Sequence, residues 1–99
     1  MPNMPKSPVF TELSEALLLL KTKEEVAAFL KDLCTPQETN ALKERWKVAQ
    51  LLHIEALSYR EIHSKTKASL TTIGRVARFL KEEPYQGYRL VLDRIKKDS

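Results

Sequence analysis

The sequence predicts an all-α fold of six helices. Glycine is scarce, with two residues in 99, and the five prolines lie mainly at the ends of segments, a composition that suits helices joined by short connections. Apolar residues recur every three or four positions, and a Ser or Thr followed three residues later by Glu marks three helix starts. A chain of this length predicts one domain, residues 9–97, after a flexible N-terminal arm at residues 1–8.

The first two helices are predicted from their caps and apolar faces. Ser7-Pro8 begins a helix that extends to about Lys21, and Thr22 with Glu25 forms a capping box that begins the second. The second helix places Val26, Phe29, Leu30 and Leu33 on one side. The apolar face of the first is wider than one neighbouring helix needs, which favours a partner subunit, and consists of Leu13, Ala16, Leu17, Leu18, Leu19 and Leu20.

The third helix is the longest, from about Pro36 to Glu55. Thr35 and Glu38 form its capping box. Its single Trp46 is predicted to lie in the core or at a subunit interface, because a lone Trp more often packs than stacks on bases. The predicted buried side consists of Leu42, Val48, Ala49, Leu52 and Ala56.

Residues 58–81 have the pattern of a helix-turn-helix. Ser58 and Glu61 form a capping box before a short helix from Tyr59 to about Thr66, and Ser69 caps a second helix after a three-residue break. Two helices joined by so short a turn must cross steeply, as in DNA-reading motifs. The apolar residues of the second helix are Leu70, Ile73, Ala77 and Leu80.

The excess positive charge is concentrated in the same motif. Residues 58–81 contain six basic side chains and one acidic, a net charge of +5, whereas residues 1–57 have −1 and residues 82–99 have 0. Such a cluster is typical of a phosphate-binding surface, since neutralised phosphates release counterions. The alternative is a solvated helical face, but that would be expected to scatter the charge along the chain.

A final helix is predicted from about Tyr85 to Lys97. Glu82-Glu83-Pro84 ends the preceding helix, because Pro84 disfavours helical geometry at the residue before it. The apolar side of the last helix consists of Tyr88, Val91, Leu92 and Ile95.

Several function classes find little support in the sequence. Cys34 is the single cysteine, which permits no internal disulfide and fits a reducing cytoplasm. We find no nucleophile–base pair, metal-ligand cluster, glycine-rich phosphate loop, secretory signal or membrane span, so we expect a cytoplasmic protein without enzymatic activity or a metal site.

With the helices laid out, the chain resembles the Trp repressor superfamily, and most closely its Trp-repressor-like YerC/YecD branch. The similarity covers about residues 9–97. It implies an intertwined homodimer whose two helix-turn-helix heads contact double-stranded DNA about one turn, roughly 34 Å, apart on a two-fold symmetric operator. The matching segments are 33–38, Ala41-Leu42 with Arg45, 58–62, 68–75 and 88–95.

The resemblance also implies a position for an effector pocket. In Trp repressors L-tryptophan binds between the third helix and the recognition helix, and the corresponding residues here are Arg45, Thr72 and Arg75. Val76 and Phe79 stand where those repressors have glycine and serine, so bulky groups would occupy the volume of the indole. We therefore expect no tryptophan cofactor, which leaves open an unknown small-molecule effector or a structural role for the two arginines.

The recognition helix and its surroundings supply the candidate DNA-binding residues. Those nearest base edges are Ser69, Leu70, Thr71, Thr72, Gly74 and Arg75. Those placed for phosphates are Tyr59, Arg60, Lys65, Lys67 and Arg78. Leu70 could equally be a core residue. Lys67 stands where such turns usually carry glycine, and a left-handed lysine would cost about 1 kcal/mol.

The leading hypothesis is a sequence-specific DNA-binding transcriptional regulator, most simply a repressor. The alternatives are a protein-interaction module of the transcription machinery and a tryptophan-responsive Trp repressor. Salt-dependent duplex binding with a sequence preference would separate the first from the second.

Overall fold

The computed structural model describes residues 11–55 and 57–98, and these residues form six α-helices and one π-helical segment, with no strand among them. The predicted all-α class with six helices is confirmed. The predicted arm at residues 1–8 and the predicted core residue Ala56 lie outside the described residues. The helices are α1 Leu13–Leu18, α2 Lys23–Leu33, α3 Pro36–Gln50, the π-helical segment Leu51–Glu55, α4 Tyr59–Thr66, α5 Leu70–Lys81 and α6 Gly87–Asp98.

The chain divides at Pro36 into two compact units. Helices α1 and α2 of the N-terminal unit have no buried residue. Leu18 is 85% exposed and Leu19 is 71% exposed, so much of the leucine-rich face that the sequence predicts is uncovered in the single chain.

Helix α1 is shorter than predicted. The predicted start at Ser7-Pro8 lies outside the described residues. The described helix begins at Leu13, because Glu12 has extended backbone angles and its N–H donates to the Glu15 carboxylate at 2.9 Å. This is the N-cap geometry of a helix start. The helix ends at Leu18 rather than at Lys21, where the N–H of Leu19 donates to the Ala16 carbonyl three residues back at 3.1 Å, a tight closing turn.

The start of α2 is as predicted, with one difference in its cap. The N–H of Glu25 donates to the Thr22 hydroxyl at 3.1 Å. The Glu25 carboxylate accepts from the N–H of Lys21 at 2.8 Å, one residue before the position that a standard capping box uses. Both bonds hold the chain extended before α2, which explains why α1 cannot continue into it.

The long third helix is α-helical only to Gln50 and continues as a π-helix over Leu51–Glu55, rather than as one α-helix to Glu55. Its predicted buried side is correct at Val48, Ala49 and Leu52. Leu42 was also assigned to that side, but it is 41% exposed because it lies at the edge of a surface cavity described below.

The hydrophobic core lies in the C-terminal unit and is centred on α5. The Trp46 ring is half-buried, packs against this core and stacks on Tyr88, with ring centroids 6.4 Å apart. Four of the ten residues that are buried in the described part of the chain come from α5. The ten are Val48, Ala49, Leu52, Ile62, Ala68, Ile73, Val76, Ala77, Leu80 and Leu92.

Helix α6 begins two residues later than predicted, at Gly87, because Gln86 takes a left-handed φ of 62° and interrupts the helical path. The Arg89 guanidinium then donates through Nε to the Leu80 carbonyl at 2.9 Å, which ties α6 to the end of α5. Leu92 is buried as predicted, whereas Val91 and Ile95 are 47% and 44% exposed.

Candidate nucleic-acid interface

The first helix of the motif is closed at its start by the predicted capping box. The N–H of Ser58 donates to the Glu61 carboxylate at 2.9 Å, and the N–H of Glu61 donates to the Ser58 hydroxyl at 3.1 Å. The backbone hydrogen bond from Ser58 is the main reason why the pKa of the Glu61 carboxyl lies below its ordinary value. The Ser58 side chain and the positive charge of Lys65 lower this pKa further.

Side chains close the turn between α4 and α5. Lys67 takes left-handed angles, φ 67° and ψ 5°, and its N–H donates to the His63 carbonyl at 2.8 Å. The Thr66 hydroxyl donates to the Ile62 carbonyl at 2.8 Å and accepts from the N–H of Ala68 at 3.0 Å. The His63 ring contributes a hydrogen bond from Nδ1 to the Ala68 carbonyl at 2.7 Å. The turn therefore has the conformation usual for this motif, with lysine at the position that favours glycine.

Helix α5, which the sequence predicts to be the recognition helix, begins with a second side-chain cap. The Ser69 hydroxyl accepts from the N–H of Thr72 at 3.1 Å and also donates to the Thr72 hydroxyl at 3.1 Å. Ser69 and Thr72 therefore use part of their hydrogen-bonding capacity on the helix itself. The sequence allows Leu70 to be either a core residue or a DNA-contacting residue. Its side chain is 57% exposed, so it is not a core residue.

The two sides of α5 have different environments. Ile73, Val76, Ala77 and Leu80 are buried and face the core. With 100° per residue, the opposite side presents Thr71, Arg75 and Arg78, all of which are exposed. Gly74 also lies toward this side, and a Cβ added there would meet no atom within 4 Å.

The exposed cations of the motif differ in their partners. Arg78 pairs through Nε with the Glu83 carboxylate at 3.3 Å, while Lys65 lies close enough to Glu61 to lower its pKa. Among the described side chains no carboxylate pairs with Arg75. The remaining exposed phosphate candidates of the motif are Tyr59, Arg60 and Lys67.

An aromatic stack holds Arg75 instead. Its guanidinium carbon lies 4.3 Å from the centre of the Phe79 ring, and the Phe79 ring stacks on Tyr85 with a centroid distance of 6.2 Å and an interplanar angle of 12°. The Arg78 guanidinium lies at 5.1 Å from the same Phe79 ring. We refer to Arg75, Phe79 and Tyr85 as the arginine stack.

A surface cavity of about 350 Å³ lies beside this stack. Four of the five candidate effector residues line it, namely Arg45, Arg75, Val76 and Phe79, and Thr72 does not. Val76 is at the same time a core residue with 1% exposure. The lining is basic and aromatic, without a carboxylate, and its other members are Leu42, Trp46, Tyr85, Gly87 and Tyr88.

The sequence did not predict that Tyr85, Gly87 and Tyr88 line this cavity. They are far in sequence from α3, and no pattern in the sequence indicates which distant residues come into contact. The contact between Arg75 and Phe79 could have been found, since residues four apart are neighbours on a helix. Within the described residues there is neither a helix long and apolar enough to cross a membrane nor a cluster of metal-ligating side chains.

Helices α4 and α5 are both capped, are joined by a closed three-residue turn, and leave a basic side of α5 exposed. This arrangement is that of a helix-turn-helix protein. The comparisons with known proteins agree with this class. A sequence model described as Trp repressor protein matches residues 9–96, and the chain belongs to this family.

Two relatives are similar over most of their lengths. The uncharacterized protein YerC of Bacillus subtilis is 40% identical over 85 residues, which cover 86% of this chain and 80% of that protein. The crystal structure of a TrpR-like protein from Eubacterium eligens superposes with a TM-score of 0.78 at 39% identity, covering 85% of this chain and 84% of the other. The Trp-repressor-like fold of the single chain is thereby confirmed, and the intertwined homodimer stays a prediction.

Proposed function

We propose that this protein is a sequence-specific DNA-binding transcriptional regulator, most simply a repressor. The observation that carries the proposal is the outward side of α5, where Thr71 and Arg75 lie opposite the buried side of a helix that is capped at its start and Gly74 lies beside them. A recognition helix inserts this part of its surface into the major groove. Membership of the Trp repressor family supports the same function.

The division of roles follows from side-chain chemistry. Arg75 can donate two hydrogen bonds to guanine O6 and N7, and Thr71 is short enough to permit close approach or to contact a thymine methyl. Arg60, Lys67 and Arg78 neutralise phosphates and set affinity rather than sequence preference. Ser69 and Thr72 form the cap of α5, and both lie at the N-terminal end of this helix, which would face the DNA.

The protein is proposed to act as an intertwined homodimer. The bare leucine-rich face of α1, with Leu18 at 85% exposure, supports this state, because a small domain rarely leaves so many large apolar side chains in water. Two copies related by a two-fold axis would present two α5 helices to successive major grooves of a two-fold symmetric operator.

Tryptophan is proposed not to be the effector. The Phe79 ring stands in the wall of the cavity directly beside Arg75, and Val76 closes the same wall from the core side. An indole ring between the arginines would compete with Phe79 for contact with the Arg75 guanidinium. The cavity leaves room for a different small molecule.

The test is selection from sheared genomic DNA by the purified full-length protein, with and without L-tryptophan, followed by sequencing of the retained fragments. We expect enrichment of one two-fold symmetric site to the same extent in both samples. Enrichment only with tryptophan would contradict the effector proposal. Absence of enrichment in both would contradict autonomous sequence-specific binding and favour a protein-interaction module.

A Thr71→Ala variant serves as the control on the assignment of the recognition helix. Its side chain is exposed and opposite the core, so folding should be intact by circular dichroism. The DNA fragments that this variant retains should show a changed base preference at one position of each half-site. If the variant keeps the wild-type preference, Thr71 does not contribute to base recognition.

A further inference from the structure

Within the part of the chain that the structure describes, Arg75 is held on the outward side of α5 by an aromatic ring rather than by an ion pair. Its guanidinium lies over the Phe79 ring, and no described carboxylate pairs with it. The five N–H donors of a guanidinium lie in its own plane, and an aromatic ring leaves them available, whereas a carboxylate would take up to two of them. Arg75 is therefore restrained and still able to donate to an external acceptor.

The ring that holds Arg75 is supported by a second aromatic ring. Phe79 is half-buried, and its ring stacks nearly parallel on Tyr85, which belongs to the segment between α5 and α6. Arg89 of α6 donates to the carbonyl of Leu80 in α5, so the ends of this segment are tied together. The arginine stack therefore joins the Arg75 guanidinium to the connection between α5 and α6.

Arg78 provides an internal comparison. It lies at 5.1 Å from the same ring, farther than Arg75, and it uses Nε in an ion pair with Glu83. Both arginines are exposed on one side of one helix, yet among the described residues a carboxylate engages a donor of Arg78 and none engages a donor of Arg75. This difference fits a base-reading role for Arg75 and a phosphate-neutralising role for Arg78.

We infer that Phe79, backed by Tyr85, is a positioning residue that holds the Arg75 guanidinium for contact with a base edge. This inference rests on the proposed DNA-binding function. A long arginine side chain loses conformational entropy when it docks, and restraint before binding reduces that loss. Phe79 therefore contributes to sequence preference without touching DNA.

The experiment compares the base preferences of variants on a library of DNA duplexes with a randomised central region. Wild type, Arg75→Ala, Phe79→Leu, Phe79→Tyr and the Phe79→Leu/Arg75→Ala double variant are each used to select duplexes, which are then sequenced. Affinity for sheared genomic DNA over a range of salt concentrations measures non-specific binding. Circular dichroism and thermal unfolding check the fold of each variant.

The positions at which Arg75→Ala loses preference identify the base pairs that Arg75 reads. Phe79→Leu should lower the preference at the same positions by about two- to fivefold, the range expected for an exposed cation–π contact. Phe79→Tyr keeps the ring and should retain the preference. The double variant should match Arg75→Ala alone, since Phe79 acts through Arg75, and non-specific binding by Phe79→Leu should keep the wild-type salt dependence.

Three results would overturn the inference. Phe79→Leu could keep the full wild-type base preference, or it could lose preference equally at all positions and also lose non-specific affinity. Alternatively, Phe79→Tyr could lose as much base preference as Phe79→Leu. If Phe79→Leu does not fold, the base preference of Tyr85→Leu is measured instead. Tyr85 is 76% exposed, so its replacement leaves no cavity in the core. A partial loss at the Arg75 positions in Tyr85→Leu supports the inference, and no loss overturns it. Failure of wild type to select any sequence refutes the proposed function itself and the inference with it.

Discussion

At the scale of single residues, two positions of the motif depart from what the isolated chain would favour. Lys67 takes a left-handed conformation that is costly for a residue with a Cβ atom. Gly74 lies inside a helix, where glycine is unfavourable, and no neighbouring atom of the chain requires its small size. The first departure is a consequence of the turn. The second agrees with the proposed function, in which DNA would approach α5 closely at Gly74.

Replacement of Lys67 by glycine should stabilise the protein. A left-handed lysine is strained by about 1 kcal/mol relative to glycine, partly offset by the larger entropy of an unfolded glycine, so we expect a net gain of roughly 0.5 kcal/mol. Thermal or urea unfolding measures the change. Lys67→Ala is the matched control, because it removes the charge and keeps the strain, and equal stability of the two variants would contradict this account.

Replacement of Gly74 by alanine should stabilise the free protein and weaken DNA binding. Alanine is favoured over glycine in a helix interior by about 0.5–1 kcal/mol, and the added methyl group meets no protein atom within 4 Å. Unfolding measurements give the first effect, and duplex binding gives the second. Unchanged DNA affinity with increased stability would show that α5 does not approach DNA closely at this point.

At the scale of elements, the motif depends on side chains that close its helix ends. Ser58 with Glu61 begins α4, Thr66 and His63 hold the turn, and Ser69 begins α5. Each bond satisfies a backbone group that a short helix would otherwise leave without a partner. The angle between α4 and α5, and with it the direction of the recognition helix, is therefore set by local hydrogen bonds and by the burial of Ile62 and Ile73.

The cap of α4 predicts a dependence of stability on pH. The pKa of Glu61 is lowered in the folded protein, chiefly by the Ser58 backbone hydrogen bond, so its stabilising effect is full above the unfolded pKa of about 4.3. It is lost as the pH falls through the lowered, folded pKa. The difference in melting temperature between wild type and Glu61→Gln should therefore be largest near pH 7 and shrink in acid.

The matched control for that measurement is Glu24→Gln, which removes an exposed carboxylate in the first turn of α2, a helix other than the one that Glu61 caps. Its difference from wild type should not follow the same acid transition. A Glu61→Gln difference that stays constant from pH 7 into acid would contradict a capping role for the ionised carboxylate.

At the scale of the whole molecule, the two compact units differ in how much of their apolar surface is covered. Among the described residues, the buried core is confined to residues 48–92. In contrast, Leu13, Leu18 and Leu33 of α1 and α2, and Leu19 directly after α1, are exposed at more than half of their surface. Surface of this kind is typical of a subunit interface. The homodimer is thus the proposal that accounts for the composition of the first 33 residues.

Replacement of Leu18 by glutamate should convert the protein to a monomer or prevent its folding at low concentration. In a monomer this 85% exposed side chain could change without effect, but at an interface a buried charge is strongly unfavourable. Light scattering after size exclusion measures the oligomeric state. Leu70→Glu is the matched control, because Leu70 is also exposed but lies on the recognition helix, where the change should impair DNA binding and leave the oligomeric state intact.

The sequence by itself determined the elements of this protein. Capping pairs such as Ser58 with Glu61, and apolar repeats such as that of α5, act over three or four residues, so both are readable without a tertiary structure. The same local chemistry placed the helix-turn-helix at residues 58–81, and the charge pattern identified its basic face. Family resemblance, rather than periodicity, supplied the predicted homodimer and effector pocket.

The tertiary structure decided what local patterns leave open. It shortened α1 at both ends, because Glu12 takes an extended cap conformation before Leu13 and the N–H of Leu19 closes a tight turn on the Ala16 carbonyl. It also placed Leu70 in solvent, although the spacing of Leu70 fits the apolar stripe. It also brought Tyr85 onto Phe79 and Phe79 under Arg75. Such contacts depend on how α6 packs against α5, which sums many weak long-range interactions that no short stretch of sequence encodes.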